Sequence, residues 1–101
     1  MIYKKRRISR DGANDIEYKK WRQKVLRRDG GKCQMPGCQN RTKLQAHHIR
    51  RWADCVLSRY EVSNGITLCR TCHDRIRNSE IAYMLLFTRI VVENETKNTK
   101  R

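Results

Sequence analysis

Apolar residues recur at helical spacing in two stretches, one towards each end of the chain. In residues 13–30 the apolar positions fall on one side of a helix: Ile16, Tyr18, Trp21, Val25 and Leu26. Basic residues cover most of the other side, so we predict an amphipathic helix that two consecutive glycines end, with its tryptophan as a core anchor. Residues 79–93 predict a C-terminal helix, which a polar tail follows at 94–101.

Between these helices the apolar pattern shortens to segments of strand length. Residues 43–49 predict one strand, and Ile66-Thr67-Leu68 predicts a second strand after the turn signal Asn64-Gly65. A further helix is expected to start close to Cys69. The predicted fold is therefore one small α+β domain, with a core at 31–78 that follows a basic arm at 1–12.

Composition changes this picture by making the core look too small to hold the fold alone. The chain has 101 residues, of which 38% are hydrophobic and 34% are charged. Domains this short and polar usually need a disulfide or a metal as a staple. Five cysteines, an odd number, and the lack of an apolar N-terminal segment favour reduced thiols in the cytoplasm. No run of residues is long and apolar enough for a membrane span.

The charge balance points to a polyanionic partner. Lysine and arginine total 24 against 10 acidic residues, a formal net charge of +14. Four zinc-bound thiolates lower that charge by only about two units. Solubility alone does not need so many positive charges, so we expect nucleic acid as the partner.

Two cysteine pairs have the spacing of a structural metal site. The four residues are Cys33, Cys38, Cys69 and Cys72. Each pair spans a loop short enough to direct both sulfur atoms at one ion, and Zn²⁺ suits four thiolates. Such a site leaves no open coordination position, so its expected role is to stabilise the fold. Cys55 has no partner at a useful spacing and is expected to be packed.

Three histidines suggest a second site with different chemistry. His47 and His48 are neighbours on a predicted strand, so their rings should point to opposite faces. One ring can then bind a metal while the other handles a proton. His73 directly follows Cys72, so zinc would fix its position too, and it can complete a metal site with His47.

These motifs resemble the HNH nuclease family over about half of the chain, from about Val25 to Ile76. The resemblance is carried by Ala-His-His-Ile at 46–49, by Asn-Gly-Ile-Thr-Leu-Cys at 64–69, and by Cys-x2-Cys-His at 69–73. It implies a ββα-metal core, stapled by the four-cysteine zinc site and flanked by an N-terminal and a C-terminal helix.

The same resemblance implies roles for individual residues. The catalytic set would be His48 as general base, Asn64 to constrain the loop and orient the base, and His73. The catalytic divalent metal, Mg²⁺, Mn²⁺, Ni²⁺ or Zn²⁺, would be held by His47 and His73. In place of the proline that many members carry after the histidine pair, this chain has arginines. It also has Arg77 where some members place a further ligand, so the sequence assigns no third protein ligand to this metal.

The implied function is a metal-dependent endonuclease that nicks or cuts double-stranded DNA, as a monomer or weak dimer. The chain looks closest to small HNH proteins of tailed bacteriophages, which implies the cytoplasm of the bacterial host, DNA packaging, and the terminase large subunit and portal as partners. Homing and restriction nucleases, a non-catalytic zinc-finger DNA-binding module and a protein-binding ribbon remain alternatives. Neither the zinc-finger hypothesis nor the protein-binding hypothesis explains why the three histidines and Asn64 occur together.

Overall fold

In the computed structural model, residues 13–51 and 58–99 are described here. Their elements are helix α1 at Ala13–Arg28, strand β1 at Leu44–His48, a 3₁₀ turn at Val62–Asn64, strand β2 at Gly65–Cys69, helix α2 at Arg70–Arg75 and helix α3 at Glu80–Thr99. The predicted fold class, a small α+β fold, is confirmed. The basic arm at 1–12, Trp52 and Cys55 lie outside the described residues.

Helix α1 ends where the two glycines were expected to end it. Gly30 and Gly31 both have left-handed φ angles, +73° and +69°. The Gly31 amide donates to the Leu26 carbonyl at 2.9 Å and the Gly30 amide to the Arg27 carbonyl at 3.1 Å. These bonds satisfy carbonyls that the last helical turn leaves open, so the chain turns away at Arg28 rather than at the predicted residue 30.

The two strands form an antiparallel sheet with a fixed register. Leu44 pairs with Cys69 at one end, and His48 pairs with Gly65 at the other. Beyond β1, the Arg70 amide donates to the Lys43 carbonyl at 3.0 Å. Because side chains alternate along a strand, this register turns His47 and His48 to opposite faces of the sheet.

Apolar residues are buried on both faces of the sheet. One face carries Ile66 and Leu68 against Phe87 and Val91 of α3. The other face receives α1, whose buried residues are Trp21 and Val25; they pack with Ala46 of β1. The predicted anchor Trp21 is 2% exposed, so that prediction is confirmed.

Gly65 lets α1 lie directly on the start of β2. A Cβ atom at this position would come within 2.6 Å of both Trp21 and Val25. Contacts this short are far inside van der Waals distance, so any other residue would push the helix off the strand.

Helix α3 is longer than predicted. It continues past residue 93 to Thr99, so residues 94–99 are polar but helical, and the prediction of a tail there is wrong. In this added part of the helix, the Asn94 side-chain amide donates to Asp29 Oδ1 at 3.0 Å and to Gln34 Oε1 at 2.9 Å, which anchors α3 to the end of α1 and to the first cysteine loop. No helix in the described part of the chain is long and apolar enough to cross a membrane.

A buried ion pair at the end of α1 joins several elements. Arg28 and Asp29 have side chains only 5% and 0% exposed, and Arg28 Nε lies 2.8 Å from Asp29 Oδ1. Arg28 also donates to the carbonyls of Val62 and Gly65 at 2.7 and 2.6 Å. Asp29 Oδ2 accepts from the Thr67 amide at 2.9 Å. The pair therefore holds α1 to both sides of the turn that precedes β2.

Candidate metal centre and histidine cleft

The four predicted cysteines meet at one point. Their sulfur atoms all lie within 4.8 Å of one another, and three of the four residues are buried while Cys38 is half-buried. Cys38 Sγ and Cys69 Sγ are 3.9 Å apart. Four sulfurs around a tetrahedral Zn²⁺ at 2.3 Å would be about 3.8 Å apart, so the donor set and its size fit zinc.

Local backbone geometry brings each pair of sulfurs together. The Cys38 amide donates to the Met35 carbonyl at 2.9 Å, which closes the first loop, and Gly37 there has a φ of +87°. The second pair lies on either side of the start of α2, where Cys69 is the N-cap and Cys72 is in the first turn.

The thiols of this cluster differ in acidity. A hydrogen bond from the Cys72 backbone amide lowers the pKa of Cys69 to about 6. Burial raises the pKa of Cys33 and of Cys72. Burial thus disfavours the thiolate forms of Cys33 and Cys72, and a cation beside these sulfurs, which is what a metal supplies, would favour them.

The three histidines line one open cleft of about 420 Å³ beside strand β1. Its walls come from α1, β1, the segment just after β1, α2 and α3. The described residues that line it are Tyr18, Arg22, Leu44, Gln45, Ala46, His47, His48, Arg51, His73 and Glu80. Residues far apart in sequence therefore share a space large enough for a phosphodiester group with its surrounding water.

His47 occupies the side of the cleft next to α2 and α3. Its ring centroid is 5.2 Å from that of His73 and 5.7 Å from that of Phe87, with edge-to-face geometry in both pairs. Burial, followed by the charges of His73 and His48, lowers the pKa of His47 to about 4, while the Glu80 charge opposes the shift. His47 is therefore neutral at physiological pH, as a metal ligand must be.

His48 lies against α1, on the opposite face of the sheet. Its ring stacks on Trp21 with centroids 4.0 Å apart and planes inclined by 13°. Nε2 is 2.9 Å from the Arg59 carbonyl oxygen. A carbonyl only accepts, so Nε2 carries the proton and Nδ1 is the basic nitrogen of the neutral ring. Trp21 is itself held by donation from its Nε1 to the Glu61 carbonyl at 2.7 Å.

Asn64 does not line the cleft, but it braces the loop that contacts His48. Its Oδ1 accepts from the Arg50 amide at 2.8 Å, and its Nδ2 donates to the carbonyls of Arg50 and Ser58 at 3.2 and 3.1 Å. Ser58 immediately precedes Arg59, whose carbonyl holds His48. The buried Asn64 side chain therefore supports His48 indirectly: it bonds to the Ser58 carbonyl, and the carbonyl of the next residue, Arg59, bonds to the His48 ring.

The structure adds residues that the motifs did not indicate. Tyr18 and Arg22 reach the cleft from α1, and Glu80 reaches it from the start of α3. The helical spacing of Tyr18 and Arg22 was visible in the sequence, but Glu80 had no local signal. Arg77 does not line this cleft; it is exposed and pairs with Asp74 at 3.0 Å.

Residues 32–79 match the family model described as HNH endonuclease. This match covers the cysteine cluster, both strands and all three histidines, and it spans just under half of the chain. Comparisons with curated proteins and with solved structures gave no match.

Proposed function

We propose that this protein is a metal-dependent DNA endonuclease that hydrolyses phosphodiester bonds in double-stranded DNA. The observation that carries the proposal is the meeting of His47, His48 and His73 in one open cleft. The rings of His47 and His73 are in contact with each other, while the ring of His48 is held separately against Trp21, so metal binding and proton transfer have different groups available.

His48 acts as the general base in this proposal. Its Nδ1 takes a proton from the attacking water, and the Nε2–H bond to Arg59 keeps the ring in the tautomer that can do so. The Trp21 ring stacks on the imidazole and restricts its rotation, which holds the basic nitrogen in one orientation. Asn64 is a positioning residue, because it acts through the loop rather than on the phosphate.

His47 and His73 bind the catalytic metal, which Mg²⁺, Mn²⁺, Ni²⁺ or Zn²⁺ can supply. Their fit to such an ion rests on donor chemistry: both offer imidazole nitrogens to the same cleft, and burial keeps His47 neutral. When bound, the metal stabilises negative charge that develops on the phosphate and on the leaving 3′ oxygen. The cysteine site holds Zn²⁺ and takes no part in the reaction.

The charge of the chain supports DNA as the substrate. The net charge is +14, and the guanidinium of Arg22 lines the cleft while donating to the Leu44 carbonyl at 3.0 Å. Arg70 and Arg75 on α2 are exposed and available to the duplex backbone. Contacts of this kind position DNA without reading its sequence.

The resemblance to small HNH proteins supports a finer assignment. Under this finer assignment, the protein is phage-encoded and works in the cytoplasm of the bacterial host as a monomer or weak dimer. It acts with the terminase large subunit and the portal during DNA packaging, rather than in homing or restriction.

The first test is cleavage of supercoiled plasmid by the zinc-loaded protein with Mg²⁺ or Mn²⁺. We expect relaxation of the plasmid, full inhibition by EDTA, and a rate about 10²- to 10⁴-fold lower for His48→Ala, the usual contribution of a general base. Plasmid binding and zinc content should be equal in the two proteins. A His48→Ala variant that cuts at the wild-type rate refutes the assignment of the base.

The alternative is a non-catalytic zinc-finger module, which the cysteine cluster and the positive charge also support. It predicts equal plasmid binding by wild type and His48→Ala with no cleavage by either protein in Mg²⁺, Mn²⁺, Ni²⁺ or Zn²⁺. The same plasmid experiment therefore separates the two functions.

A further inference from the structure

Glu80 reaches the histidine cleft because of a sharp turn between α2 and α3. Asn78 has a left-handed φ of +70°, and the Ser79 amide donates to the Ile76 carbonyl at 2.7 Å. This turn reverses the chain directly after α2, which carries His73. Helix α3 then starts at Glu80, with its side chain half-buried in the wall of the cleft.

The negative charge of Glu80 is unfavourable in a cleft that binds only phosphate. Among the described residues that line the cleft it is the only carboxylate, and Arg22 and Arg51 line the same cleft. A half-buried negative charge repels a phosphodiester and loses part of its hydration. A cation beside it removes both costs, so the carboxylate is useful in this place if a metal ion binds there.

Glu80 is also on the correct side of the sheet for such an ion. Its negative charge acts on His47, whose ring is in edge-to-face contact with that of His73. Three donors from three elements, β1, α2 and the start of α3, therefore border the same part of the cleft.

We propose that Glu80 is the third protein ligand of the catalytic metal, alongside His47 and His73. The proposal rests on the proposed nuclease function and adds a carboxylate to its metal site. Among the described residues, only the cysteines form a group of three or more with all ligand atoms within 4.8 Å. The proposal therefore requires the Glu80 side chain, which has three flexible torsions, to turn towards the ion when the ion binds.

If Glu80 is a ligand, its carboxylate should change which metal ions the site prefers. Imidazole nitrogens suit Ni²⁺ and Zn²⁺, whereas carboxylate oxygens suit Mg²⁺ and Mn²⁺. With two imidazoles and one carboxylate, the site keeps positions for water and phosphate and gains affinity for the harder ions. Loss of the carboxylate should therefore weaken Mn²⁺ binding more than Ni²⁺ binding.

The test measures Mn²⁺ binding without DNA, using zinc-loaded protein and the electron paramagnetic resonance signal of free Mn²⁺. We expect Glu80→Gln to raise the Kd for Mn²⁺ about tenfold or more, and Glu80→Asp to restore part of the affinity. Glu93→Gln is the matched control, because Glu93 is exposed on the same helix and does not line the cleft. Its Kd should stay within about twofold of the wild-type value. Zinc content and circular dichroism check that each variant is folded.

The outcomes separate this proposal from the proposed function. If His47→Ala loses Mn²⁺ binding while Glu80→Gln binds as well as wild type, Glu80 is not a ligand and the nuclease proposal stands. If wild type binds neither Mn²⁺ nor Ni²⁺, or if His47→Ala binds both ions as well as wild type does, the metal site itself is wrong and both proposals fail. An equal loss of Mn²⁺ and Ni²⁺ affinity in Glu80→Gln contradicts the predicted metal preference.

Discussion

Replacing Asp29 with alanine should severely destabilise the protein, although Asp29 lies outside the histidine cleft. Its carboxylate is fully buried and accepts from both Nε and Nη2 of Arg28 at 2.8 and 2.9 Å. It also accepts from the Thr67 amide and the Asn94 side chain at 2.9 and 3.0 Å. The alanine variant leaves the buried Arg28 guanidinium with only the longer carboxylate contact, to the partly exposed Glu95 at 3.5 Å. It also leaves the Thr67 amide without its acceptor, while Asn94 keeps only its bond to Gln34.

The size of the effect follows from the burial of the pair. Removing one partner of a buried ion pair costs about 3–5 kcal/mol, because the remaining charge is uncompensated. A domain of this length has a total stability of about 5–15 kcal/mol. We therefore expect a midpoint of thermal unfolding lower by at least about 12 °C, at about 4 °C for each kcal/mol.

Urea unfolding with fixed zinc and reductant measures this free energy. Asp74→Ala is the control, since Asp74 makes an exposed ion pair with Arg77, with side chains 51% and 65% exposed, and should change stability by less than about 1 kcal/mol. In addition, Arg28→Met combined with Asp29→Ala should cost less than the two single changes added together, because it leaves no unpaired charge. A single Asp29→Ala variant within 1 kcal/mol of wild type would refute the reasoning.

Two further predictions concern the metal site and pH. Cys69→Ala should release zinc and unfold the protein, since zinc binding contributes about 10 kcal/mol or more to folding in such sites; zinc content and circular dichroism measure this, and an unchanged melting curve would contradict it. Because the pKa of His47 falls from 6.5 to about 4 on folding, the unfolded chain binds more protons between these values, and stability should rise with pH across that window. At 1.36 kcal/mol for each pKa unit, this residue should raise the free energy of unfolding by about 2 kcal/mol between pH 5 and pH 7. Urea unfolding of His47→Gln at the two pH values should lack this increase.

Much of the site could be predicted because its signals are local. Cysteine spacing predicted the four-cysteine cluster, and strand alternation assigned His47 and His48 to opposite faces, which the contacts of His47 with His73 and of His48 with Trp21 now show. Within each cysteine pair and between the two adjacent histidines, the residues are only a few positions apart, so backbone geometry alone fixes how their side chains lie relative to one another.

The parts that sequence reasoning missed depend on contacts between distant elements. Glu80 enters the cleft through a left-handed residue at Asn78, which no periodic pattern signals. In the sequence, Arg28 and Asp29 look like ordinary charges at a helix end, and only their burial by α3 and β2 makes them an internal ion pair. Likewise, the polar composition of residues 94–99 hid the fact that α3 continues there and that Asn94 bonds to this pair.

A two-stranded sheet is only marginally stable alone, so both of its ends need support. The support differs between the ends. At the end where Leu44 pairs with Cys69, the cysteine cluster joins β2 to the first loop and to α2. At the end where His48 pairs with Gly65, Arg28 holds the carbonyls of Val62 and Gly65. His47 and His48 are at this second end, so zinc alone does not fix them. Damage to the Arg28–Asp29 pair should therefore disturb the histidines even when zinc remains bound, which makes zinc content an insufficient measure of an intact cleft.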